Sequence, residues 1–108
     1  MRTYRLQDVA AVIRSKNSGP YELTFDILFK DEDIFKKVID QDIITKEIFA
    51  HLYKIPITDV ISIIHFSPAR AIKATIVRPL PSGSIGERDV YGAQQHGPLM
   101  DFSFSLDN

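Results

Sequence analysis

The chain has 108 residues, is 44% hydrophobic and 25% charged, carries a net charge of −1 and contains no cysteine. This is the size and composition of one globular domain spanning 1–108, with roughly 65% of its unfolded-state surface available for burial. The charge balance excludes a strongly basic nucleic-acid binder, and the missing cysteine excludes disulfides, thiolate catalysis and cysteine-ligated metal or iron–sulfur sites.

The first eight residues, Met1 to Asp8, are polar and lack the apolar region of a signal peptide. No apolar run approaches the ~20 residues of a membrane helix. A cytoplasmic protein without membrane contact is expected. Leu6 to Ile13 fits two patterns. Leu6, Val9, Ala10 and Ile13 make a helical stripe, whereas Val9, Ala11 and Ile13 make one face of a strand. Arg14 to Pro20 reads as a polar turn. Tyr21 to Lys30 is a strand: Leu23, Phe25, Ile27 and Phe29 share one face, and Thr24, Asp26, Leu28 and Lys30 the other.

Asp31 can cap a helix whose apolar stripe is Ile34, Phe35, Val38 and Ile39, with Glu32 and Asp33 opposing the positive end of its dipole. A second helix fits Thr45 to Tyr53, with Thr45 as cap and Ile48, Phe49 and Leu52 facing inward. Asp59 to Phe66 is almost continuously apolar, the pattern of a central strand covered on both faces. Ser67 to Ala69 is a turn, and Ala71 to Arg78 alternates as a strand. Pro79 to Pro98 holds four of the five glycines and three of the six prolines. A loop of this length in a small domain implies contact with something or disorder. Leu99 to Leu106 alternates strictly, with Met100, Phe102, Phe104 and Leu106 on one side. The order predicts a two-layer α+β fold: one mostly antiparallel sheet with two helices on one face, a ferredoxin-like variant.

Two segments could carry chemistry. In Arg14, Ser15, Lys16 and Asn17, two cations, a hydroxyl and an amide could hold an anionic small molecule; the alternative is a solvated turn with ordinary surface charge. In the long loop, Gln94 and Gln95 could read a polar ligand, and His96 is the candidate general base. The alternative there is a loop that docks back on its own sheet. His51 reads as a solvated helix residue and His65 as a core or strand-end histidine. The three histidines lack metal-ligand spacing, so no metal site is expected, and nothing points to a cofactor. Asp26 sits mid-strand: on a packed face it would need Arg14 or Lys73 as partner, and on an open face it would be solvated. The open face is the preferred reading.

Leu6 to Ala10 with Ile13 to Pro20, then Ala71 to Pro79, then Asp89 to Leu99 with its Tyr-Gly-Ala-Gln-Gln-His string, resemble a small bacterial and archaeal family known only as a domain of unknown function. That family is similar, more distantly, to the ferredoxin-fold domain at the end of acyclic-terpene-utilisation (AtuA-like) proteins. The segment Leu-Arg-Asp-Leu-Ala…Arg-Ser-Gly-Asp-Lys-Gly there resembles Leu6 to Gly19, but this chain has Lys16-Asn17-Ser18-Gly19 in the last part. The resemblance implies a strand over Leu6 to Ile13. It also implies a separate accessory subunit, partnered by a larger AtuA-like enzyme of carboxylate or acyl-CoA catabolism, and supplies no catalytic residues. A self-contained binding module or small enzyme is the alternative. A homo-oligomer, with the long loop swapped or an edge paired near Leu106, is a third reading.

Overall fold

The computed structural model describes residues 2–19, 21–77 and 97–107. Its elements are β1 (Arg2–Arg5), α1 (Leu6–Val9), β2 (Ala10–Asn17), β3 (Glu22–Phe29), α2 (Glu32–Asp40), α3 (Lys46–Tyr53), β4 (Val60–Phe66), β5 (Ala71–Val77), α4 (Gly97–Met100) and β6 (Ser103–Leu106). The fold is α+β. Four strands form an antiparallel sheet in the order β2-β3-β5-β4, and β1 pairs with β6 in a second, two-stranded sheet. The layers are those expected. The chain order is a variant in which two hairpins, β2-β3 and β4-β5, flank the helix pair, in place of a repeated βαβ unit.

Strict alternation in β3 makes the centre of the core. Leu23, Phe25, Ile27 and Phe29 are all at most 3% exposed, and Ile72, Ala74 and Ile76 of β5 continue the same face. The helices cover that face. The Phe25 ring lies 5.4 Å from Phe49 and 4.8 Å from Tyr53, and Phe29 lies 5.7 Å from Phe35. Both helices start where the capping residues predict. The Asp31 carboxylate accepts from the Asp33 amide at 2.8 Å, and the Thr45 hydroxyl accepts from the Ile48 amide at 3.3 Å. Lys54 ends α3 in the left-handed region, φ 55°.

Three expectations change. Leu6 to Ile13 is neither one strand nor one helix: Leu6–Val9 makes a single helical turn and the strand begins at Ala10. Both patterns read in that segment are therefore used, one after the other. Leu99 to Leu106 likewise splits, with Leu99 and Met100 completing α4 and only Ser103–Leu106 extended. The third correction matters most. Asp59 to Phe66 yields a strand, but β4 lies at the edge of the sheet rather than its centre, and Ile61, Ile64 and Phe66 are 43%, 53% and 57% exposed.

The two-stranded sheet joins the same core through Leu6, Leu99, Phe104 and Leu106. Gln41, just past α2, ties it down. Its amide nitrogen donates to the Asp107 carbonyl and its amide oxygen accepts from the Asp107 amide, both at 2.9 Å. A side chain here replaces a strand neighbour. Gln41→Ala is expected to cost about 1–2 kcal/mol, one modest term per lost bond, and to speed amide exchange at Asp107 selectively. Exchange at Asp107 as slow as in the parent chain would refute the clamp.

Candidate functional site

Antiparallel register decides which side chains share a surface, because directly opposed residues lie on one face. On the face of the four-stranded sheet away from the helices, three rows run across all four strands. Val12, Leu28, Ala71 and Phe66 form an apolar row. Arg14, Asp26, Lys73 and Ile64 form a charged row that ends in an isoleucine. Lys16, Thr24, Thr75 and Ser62 form a row of one cation and three hydroxyls. Glu22 lies beyond it on β3.

The face is exposed along its margins. Val12, at 38%, joins Ile64 and Phe66 among the exposed large hydrophobics, and Lys16 and Lys73 are also exposed. Arg14 Nε donates to Asp26 Oδ2 at 3.1 Å, with Lys73 directly opposite Asp26 on the other side. One carboxylate thus stands between two cations, and a third cation, Lys16, lies along the same strand as Arg14. Asp26 does lie on the face away from the helices, but it is not solvated as expected there: its side chain is 18% exposed and takes Arg14 as partner. The Arg14 side chain is 64% exposed and the Asp26 side chain 18%, so water screens the pair from the arginine side. Arg14→Ala is expected to change stability by less than about 1 kcal/mol. A thermal melt showing a larger loss would mean that the pair is structural rather than presented for contact.

The structure divides the sequence-predicted anion cradle. Arg14 to Asn17 belongs to β2 rather than to a turn, and a strand sends alternate side chains to opposite faces. Arg14 and Lys16 go to the open face. Ser15, opposite Phe25, and Asn17, opposite Leu23, go to the helix face, where Ser15 is 6% exposed. Gln94, Gln95 and His96 lie outside the described residues, as does most of the Pro79 to Pro98 loop; its last two residues, Gly97 and Pro98, open α4.

A groove of about 370 Å³ runs between α3 and α4. Ile48, Leu52 and Phe102 make its apolar lining, and His51, Asp101 and Ser103 contribute polar groups. Among the described residues no hydrogen bond joins those three, so they do not form the relay that nucleophilic catalysis needs. His51 is exposed on its helix, and His65 is exposed near the end of β4. Burial pushes the Tyr53 phenol above its ordinary pKa, so this ring serves as a neutral aromatic wall against Phe25. Among the described residues no group of three histidine or acidic side chains could hold a metal ion.

Sequence reading missed the three rows because they depend on strand order, which alternation does not encode. The available signal was the mixed chemistry of Thr24, Asp26 and Leu28, the set that alternates with the core residues of β3.

The fold and its surface define a small α+β domain with a helix-covered antiparallel sheet whose other face is mixed apolar and cationic and exposed along its margins. The chain belongs to the family described as domain of unknown function DUF4387, whose model matches residues 6–103. No curated protein and no solved structure matches the chain.

Proposed function

We propose that this chain is a small accessory subunit that associates with a larger AtuA-like enzyme of carboxylate or acyl-CoA catabolism, and that the open sheet face is its contact surface. One observation carries the reading: β4, whose sequence is that of an interior strand, is left at an edge with Ile64 and Phe66 exposed. Exposed apolar rows of this kind are characteristic of surfaces that another protein covers. The cations Arg14, Lys16 and Lys73 favour a partner surface that combines acidic and apolar groups. The resemblance supports the same arrangement, since a domain fused in AtuA-like proteins corresponds here to a separate chain.

The alternative, a binding module for an anionic small molecule, finds support in the row of Lys16 and three hydroxyls. Small ligands are held in concave sites that enclose most of their surface. The open face offers rows rather than a cleft, and the helix-side placement of Ser15 and Asn17 removes half of the expected cradle. Docking is therefore the better-supported function. Co-expression with the large AtuA-like protein tests it: one co-eluting complex of defined stoichiometry is expected, whereas separate elution at micromolar concentration would overturn it.

A further inference from the structure

The two edges of the four-stranded sheet differ in a way that points to a specific occupant. Exposed edges normally carry devices against pairing with another chain: charges, bulges or proline. The β2 edge has a bulge between Ala10 and Val12 and bears Arg14 and Lys16. β4 reads Val-Ile-Ser-Ile-Ile-His-Phe, with no Lys, Arg, Asp, Glu or Pro. Its bulge lies at the start, between Val60 and Ser62, which leaves Ser62 to Phe66 in regular register with β5. Among the described residues no strand pairs with its outer side.

We infer that β4 pairs antiparallel with β4 of a second copy of this chain, across a two-fold axis at His65. A two-fold axis makes a strand its own antiparallel partner, so the neighbour this edge accepts is β-branched, apolar and uncharged, as β4 itself is. With His65 on the axis, Ile64 of each copy lies opposite Phe66 of the other. Aromatic and β-branched residues are a favourable cross-strand pair, and these are the two most exposed hydrophobics on the strand. No other register for β4 matches both residues twice.

Charge decides the same way. Lys73 lies on β5, one strand inside, so the two copies of Lys73 are at least three strand spacings apart, about 14 Å. That exceeds the ~10 Å screening length at ordinary ionic strength. Self-pairing of β2 would instead place Arg14 and Lys16 beside their own kind at about 5 Å. A seven-residue edge buries less than the ~1,200 Å² of a typical stable interface, so association is expected to depend on concentration. Pairing in the plane of the sheet leaves the open face pointing outward. It therefore neither requires nor blocks docking of a larger protein.

The absence of cysteine makes a clean test. Directly opposed residues on antiparallel strands have Cα separations of about 4.5–5.5 Å, within disulfide reach. Under mild oxidation His65→Cys is expected to form a covalent dimer, and Lys16→Cys to stay monomeric at the same concentration. Sedimentation of the unmodified chain at hundreds of micromolar is expected to show dimers, and Ile64→Lys to shift them to monomers with unchanged circular dichroism. A monomeric parent chain, or cross-linking no better at position 65 than at position 16, overturns the inference. If Ile64→Lys does not fold, the two cysteine variants and the parent sedimentation still decide it.

Discussion

Phe25→Ala is expected to destabilise the domain by about 3–5 kcal/mol, which is the range for emptying a large buried aromatic site. Phe25 is 0% exposed. Its neighbours across the sheet are Ser15 and Ala74, and its ring meets Phe49 and Tyr53 from the helices. The pattern explains why a large ring belongs there: the residues flanking it across the sheet, Ser15 and Ala74, are small and leave room for it under α3. A domain of this size has only about 5–15 kcal/mol in total, so the variant should lose roughly a fifth or more of its stability. Urea unfolding should show a lowered midpoint with little change in slope. A loss below about 1 kcal/mol would mean that the helices do not rest on β3 as described.

Reversing charge on the open face with Lys16→Glu and Lys73→Glu is expected to weaken association with the large AtuA-like protein by at least tenfold, or about 1.4 kcal/mol. Both side chains are exposed, so the fold should tolerate the change, and a thermal melt checks this. The physical basis is complementarity. The charged row holds one carboxylate between two cations, and the next row adds Lys16 with no acid opposite it. Association of the unaltered chain should accordingly weaken as salt rises, mostly through the rate of encounter. Binding insensitive to both salt and charge reversal would place the contact elsewhere.

Local elements were legible in the sequence wherever one rule acted alone. Period-two alternation identified β3 and β5, and cap residues identified the starts of α2 and α3, because each depends on neighbours in the chain. Legibility stopped where tertiary placement decides. A run such as Ile61 to Ile64 suits a covered strand, and its hydrophobicity does not reveal that the strand lies at the sheet edge with Ile61 and Ile64 exposed. Leu6 to Ile13 matched two periodicities because it contains both a helical turn and a strand. The Arg14 to Asn17 cluster looked like a cradle when read as a turn, and became two separate pairs once extension through Asn17 set its residues on alternate faces. Gln41 carried no local signal at all, since its partner is 66 residues away.

Under the proposed function, a larger protein binds the open sheet face rather than the groove beside α3. Calorimetric titration of the large AtuA-like protein with three forms of this chain tests it most directly: the parent, Lys16→Glu/Lys73→Glu on the face, and His51→Ala/Asp101→Ala at the groove. Equal affinity is expected for the parent and the groove variant, and at least tenfold weaker binding for the face variant. Parent-like binding by the face variant, or loss confined to the groove variant, would contradict it.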